Sequence, residues 1–299
     1  MIISRIVQGI GFGFVSVAAP SAIGRFIPAK MMSVSMGIWS TWIPVGSLIM
    51  FVFAPYITLY FPPSIYWIIL LIILGLTAIL YAMFIPKDVK KNETIKLPAG
   101  TVKGEVKNRQ IWIVALTFAS FTFSFFAFNT WAATYLVETS SISLAKAASI
   151  PAIISFFMIG SNLYGGYLLK KFQDNIFVYI LPPILMALCW PMFLFQGEIL
   201  LYGLAVVIGV VGGITPTIIF ASAPKLALQK ETIGIAMAIV IIGENAGILI
   251  GPEVFGILRD VTGNFTTSIL ILSCSGIITT ITSAYIWRSW KTRTKQEAA

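Results

Sequence analysis

The chain has no histidine, which excludes imidazole metal sites, serine–histidine dyads and triads, and histidine proton relays. Charge is also scarce: only 10% of its 299 residues are charged, against about 25% in a soluble domain. Cysteine occurs twice, as Cys189 and Cys274. Both lie in apolar runs, so they read as small core residues and not as a disulfide or a zinc cluster. No aspartate lies deep in an apolar run, so the paired acids of an intramembrane protease or prenyl transferase are missing and the chain is not expected to be an enzyme. Gly9, Gly11 and Gly13 lie close together but are followed by no lysine, so they do not form a phosphate-cradling loop. An ATP-driven pump is therefore not expected, nor is any cofactor or metal.

Apolar side chains dominate instead. They make up 58% of the chain, with a mean hydropathy of +0.93. A soluble surface cannot carry this load, so the expectation is an all-α polytopic membrane protein. A spanning helix needs about 20 mostly apolar residues. Nine segments meet that need, at roughly 2–23, 33–57, 64–85, 111–136, 144–168, 175–195, 198–222, 233–257 and 265–288; they are lettered A to I. Their runs are continuous and lack the alternation of barrel strands. Boundaries are least sharp in E and G, where Pro151, Pro216 and Pro224 fall, although spanning helices tolerate proline.

The loops are asymmetric in charge. Seventeen of the 20 basic residues fall after A, C, E, G or I; the far side holds Lys146 and Arg259, and Arg5 sits inside A. This pattern accounts for the net charge of +9 without a nucleic-acid partner. The positive-inside rule puts the rich side in the cytoplasm of a multi-pass cell-membrane protein. The C-terminus then lies inside and the N-terminus outside.

Only the C–D loop is long and polar. It divides the chain into a partial N-terminal bundle of three helices (1–85), a flexible cytoplasmic linker (86–110), a six-helix bundle (111–288) and a basic cytoplasmic tail (289–299). A weak repeat connects the two bundles. Gly37, Gly46 and Ala54-Pro55 in B recur as Gly234, Gly243 and Gly251-Pro252 in H, at an offset of 197 residues. B and H run in the same direction, so the repeat is parallel, as in many transporters. The same offset projects the start of the first bundle upstream of Met1. The expectation is that about three helices precede it in a full-length protein, and that this chain is a truncated product or has a misassigned start.

Arg5-Ile6-Val7-Gln8-Gly9-Ile10-Gly11 resembles the R-x-x-Q-G-x-G pattern in the fourth helix of major facilitator superfamily transporters. The later segments fall where that family places helices 5 to 12. Phe128-Asn129-Thr130-Trp131, with Tyr135-Leu136, resembles helix 7 of its cyanate- and nitrate-type permeases. The resemblance implies two bundles, alternating access, and a cavity lined by A, B, D, E, G and H. Two departures stand out. Gly165-Gly166-Tyr167-Leu168 is followed by Leu169 and the acidic residue of the family's G-G-x-L-x-D-R motif is missing, and Met50-Phe51 stands where antiporters of the family carry Gly-Pro.

A buried charge costs about 3 kcal/mol or more at the bilayer centre, so Arg5 and Glu244 are the leading candidates for anion binding or proton coupling. Gln8 and Asn245 accompany them in the same segments. Trp39, Trp42, Asn129, Trp131, Asn162 and Tyr164 are candidate substrate contacts. Gly37, Gly46, Gly243, Gly247, Gly251 and Pro252 are candidates for close helix packing. The expected function is secondary active transport of a small solute by alternating access, an anion being one candidate. The coupling ion is undetermined, a proton being one candidate. The alternative is a transport-incompetent fragment, or a subunit completed by another polypeptide.

Overall fold

The structure, a computed structural model, describes residues 2–84, 100–140, 142–195 and 197–298, with residues 2–6 among those described by backbone alone. Within these it is all α-helical. Four helices form the first part: α1 (Ile2–Phe26), α2 (Ala29–Trp39), α3 (Trp42–Tyr60) and α4 (Pro63–Phe84). A short helix, α5 (Thr101–Val106), precedes the second part: α6 (Arg109–Ser140), α7 (Leu144–Phe172), α8 (Ile176–Met192), α9 (Glu198–Gly212), α10 (Ile214–Leu226), α11 (Ile233–Thr262) and α12 (Thr266–Ala298). Among the described residues seven spans are long and apolar enough to cross a membrane, and two shorter apolar helices, Trp67–Leu80 and Ile176–Met192, accompany them. These nine pieces coincide with segments A to I.

Two segments expected to be continuous are broken, each just upstream of a proline. Segment B divides at Ser40–Thr41 into α2 and α3. Pro44 has no N–H to offer the Ser40 carbonyl, the acceptor four residues back. The Ser40 and Thr41 hydroxyls also turn back onto the Met36 and Ile38 carbonyls, at 2.7 and 2.8 Å. Segment G divides at Gly213 into α9 and α10, where Pro216 deprives the Gly212 carbonyl in the same way. By contrast Pro151 sits inside an unbroken α7. There the Ser155 hydroxyl bonds the Pro151 carbonyl at 2.9 Å.

The core lies in the second part. α6 packs on α11 and α12, α7 on α9, and α8 on α12. The α6–α11 seam is built on small residues. A Cβ at Gly243 would collide with the Ala115 carbonyl, one at Gly247 with Thr122 Oγ1, and one at Gly251 with the Phe123 carbonyl. Apolar lipid offers helices no hydrophobic reason to associate, so such backbone approach has to supply the attraction through packing. Gly46 departs from the packing expectation: a Cβ there meets nothing within 4 Å. Cys274 departs from the core expectation: it is exposed on α12, whereas Cys189 is buried.

Of the C–D loop, residues 86–99 lie outside the described part, including Lys87, Lys90, Lys91 and Lys96. The stretch from Thr101 to Asn108 is docked and not free. Glu105 is fully buried. Its carboxylate accepts from Asn108 Nδ2 (2.8 Å), the Leu228 amide (2.8 Å) and Thr232 Oγ1 (2.6 Å). A buried carboxylate persists only when donors replace its water, and here the α10–α11 loop supplies two of them.

Candidate functional site

The first helices meet the second part mainly along α7, and the meeting point is Asn162. It is fully buried. Its Nδ2 donates to the Ser40 carbonyl at 3.1 Å, the acceptor that Pro44 leaves without a helical donor. On its other side Thr217 Oγ1 reaches the Asn162 backbone carbonyl at 3.2 Å and its side-chain oxygen at 3.4 Å. The neighbouring Ser161 hydroxyl accepts the Gly213 amide at 3.1 Å. One turn of α7 therefore fastens both helix breaks.

Glycines permit the approach. A Cβ at Gly37 would stand 2.7 Å from the Asn162 carbonyl, one at Gly166 2.7 Å from the Ser33 carbonyl, and one at Gly213 2.6 Å from the Asn162 amide. Gly166 belongs to the Gly-Gly-x-Leu motif, whose work here is this backbone contact.

Next to this joint lies an aromatic nest. Trp39 stacks on Trp42 with ring centres 5.2 Å apart, and Phe12 of α1 packs on Trp42 at 5.3 Å. Both indole N–H groups are buried without an acceptor among the described residues. Buried indoles normally find a partner, which these two lack among the described residues. Phe12 was not singled out from sequence, since one aromatic among many in an apolar helix carries no signal.

The other candidates are dispersed. Arg5 lies two turns before Phe12 on α1; its side chain is outside the described residues. Gln8 is exposed on the same helix. Asn129 turns back to the Phe125 carbonyl at 2.8 Å, and Asn245 to Ile241 at 2.9 Å. Trp131 donates to the Pro252 carbonyl at 3.0 Å and lies over Gly256, tying α6 to α11. Glu244 is fully buried on α11, and neither carboxylate oxygen has a hydrogen-bond partner among the described residues. Its backbone carbonyl accepts from Thr122 Oγ1 at 3.0 Å.

Tyr164 does not join Asn162. It is 57% exposed and stacks on Tyr167 at 6.2 Å. Two residues along a helix turn the direction by about 200°, so when Asn162 faces inward Tyr164 faces out.

The major facilitator superfamily model matches residues 1–252. The chain belongs to the major facilitator superfamily. It is 23% identical to the hexuronate transporter of Bacillus subtilis (strain 168), over 91% of this chain and 69% of that protein. Among solved structures it is similar to the E. coli fucose:proton symporter FucP, with a TM-score of 0.71 at 18% identity, covering 92% of this chain and 74% of that one. A second FucP structure, in the outward conformation, gives a TM-score of 0.68 at 17% identity, over 92% and 73%. The fold is thus that of a multi-pass facilitator, and the chain is a membrane transporter of a small solute, not an enzyme. The resemblance carried by Arg5, Gln8 and the segment order holds across most of the chain.

Proposed function

We propose that the chain carries a small organic anion, of the sugar-acid class, across the cell membrane by alternating access. The observation that carries this reading is the pair of unpartnered indole donors in the Phe12–Trp39–Trp42 nest. An aromatic surface edged with N–H donors suits a ring whose substituents are hydroxyls and a carboxylate. The name of the Bacillus relative, a hexuronate transporter, supports the same class. Arg5, two turns away on α1, supplies the positive charge that an anion requires in a low-dielectric span. Glu244, without a hydrogen-bond partner for its carboxylate among the described residues, is the group that exchanges a proton during the cycle.

The arrangement has two groups of helices, 1–85 and 111–288, joined by the 86–110 segment on the cytoplasmic side. The C-terminal tail lies on the same side. The two basic residues of the opposite side are each ion-paired there, Lys146 with Glu198 at 2.9 Å and Arg259 with Glu138 at 2.8 Å. That side has only these two of the chain's 20 basic residues, and this scarcity is what supports the orientation.

The test is uptake into proteoliposomes holding the purified chain. Labelled glucuronate or galacturonate should enter faster than into empty vesicles, and faster than neutral fucose. Trp39→Phe and Trp42→Phe keep an aromatic ring, though a smaller one, and remove the donor, and each should raise KM for the acid. Equal entry of fucose and glucuronate would discard the anion reading. Unchanged KM in both variants would discard the nest as the binding site.

A further inference from the structure

On the side of the basic loops a cleft of about 680 Å³ opens between the two groups of helices. One wall is the end of α1 and the turn into α2, with Arg25 and Pro28; the other is the end of α10 and the α10–α11 loop, with Lys225 and Lys230, backed by Trp290 and Arg293 of α12. Four of its lining residues are basic and none is acidic.

The second wall is rigidly built. Arg293 donates to the Lys225 carbonyl at 2.9 Å and to the Ala227 carbonyl at 2.7 Å. The Lys225 ammonium sits 3.5 Å above the Trp290 ring. Behind the loop the buried Glu105 holds the Leu228 amide and Thr232, so its carboxylate is already engaged with donors of its own; Glu231 follows Lys230 in the same loop but does not line the cleft.

The first wall is poised as well. Helix α2 starts after Pro28, which provides no side-chain cap for the first-turn N–H groups, and such an N-terminus favours an anion. Arg25 and Lys230 are exposed and form no ion pair among the described residues. Like charges gathered in one cleft repel each other unless an anion sits between them.

We propose that this cleft binds a phosphate-bearing anion, with Arg25 and Lys230 as its two charged contacts from opposite walls. The chemistry is shared by two sources, an anionic phospholipid headgroup at the membrane surface and a free phosphate compound in the cytoplasm. In either case the bound anion bridges the α1–α2 turn to the α10–α11 loop and ties the two groups of helices together at that end. The site is separate from the aromatic nest and does not depend on which solute is carried.

The test is thermal unfolding of the full chain in phosphatidylcholine nanodiscs, with two probes. One is pyrophosphate titrated in solution; the other is phosphatidic acid mixed into the bilayer. A ligand that binds the folded state raises the unfolding midpoint in a saturable way. Arg25→Gln and Lys230→Gln should each weaken the apparent affinity about fivefold, while Lys230→Arg and the control Lys170→Gln should preserve it. Stabilisation by phosphatidic acid alone supports the site and names the headgroup as the source; stabilisation by pyrophosphate supports it with free phosphate as a source. No saturable effect from either probe overturns the proposal. So does an affinity that either glutamine variant leaves unchanged, or that Lys170→Gln weakens equally.

Discussion

Replacing Asn162 by leucine keeps much of the side-chain volume but removes the donor that satisfies the Ser40 carbonyl at 3.1 Å. That carbonyl cannot find its usual helical donor, because residue 44 is proline. A buried acceptor left without a partner costs about 1–3 kcal/mol. On the other side the loss is smaller. Thr217 Oγ1 keeps the Gly213 carbonyl at 3.0 Å and the Asn162 backbone carbonyl at 3.2 Å, giving up only the long contact at 3.4 Å. The net expectation is about 2 kcal/mol, or a fall in unfolding midpoint of about 4–8 °C for a chain of this size. Tryptophan fluorescence during heating in detergent measures it. Asn162→Asp should cost more, since it places an acceptor against an acceptor. Ser40→Ala leaves the backbone carbonyl in place and should cost little. A leucine variant that melts with the wild type, or an alanine at Ser40 that costs as much as leucine at Asn162, would refute the assignment of the Ser40 carbonyl as the group that matters.

Three further outcomes can be checked. Gly247→Ala puts a Cβ into Thr122 Oγ1 and the Ala119 carbonyl and should destabilise by about 1–3 kcal/mol, whereas Gly46→Ala, with open space around it, should be tolerated; comparing their unfolding midpoints decides. Glu105→Ala strips an acceptor from Asn108 Nδ2, the Leu228 amide and Thr232 Oγ1 and should release the α5 segment, seen as faster limited proteolysis at Lys103 and Lys107; an unchanged digestion pattern counts against the latch. A cysteine at Lys103, in a background with both native cysteines replaced by serine, should resist impermeant thiol reagents on intact cells; prompt labelling would reverse the orientation.

Much of this arrangement was legible in the sequence, and the gaps have a common cause. Hydropathy finds the nine segments because length and apolarity are properties of a run. It does not find the breaks in B and G, because a helix break depends on which carbonyl loses its donor. Pro44 and Pro216 were the available signals, each to be read four residues upstream. Pro151 shows why proline alone does not decide: it deprives the Ala147 carbonyl of a donor in the same way, yet α7 runs on through it. Added Cβ atoms at Gly37, Gly243, Gly247 and Gly251 would meet neighbouring backbone or side chain, and one at Gly46 would meet nothing within 4 Å, since a glycine states that approach is permitted and not that a neighbour is there. Asn162 and Tyr164 were treated alike as polar groups in one span, although their angular separation puts them on opposite faces. The donor-rich nest needed Phe12, Trp39 and Trp42 to meet across three helices, and no local pattern encodes that meeting.

The joint at Asn162 is made from Ser40, Ser161, Thr217 and the glycines 37, 166 and 213, and none of these groups carries a formal charge. A charge moved across a membrane exchanges about 2.3 kcal/mol with the field for every 100 mV; neutral amides, hydroxyls and carbonyls exchange almost nothing. The joint is therefore electrically silent. Neither membrane potential nor a proton gradient has a handle on it. A force drawn from the field must therefore act at a charge elsewhere, and reaches the joint as mechanical strain through the helices that meet there, α2, α3, α7 and α10.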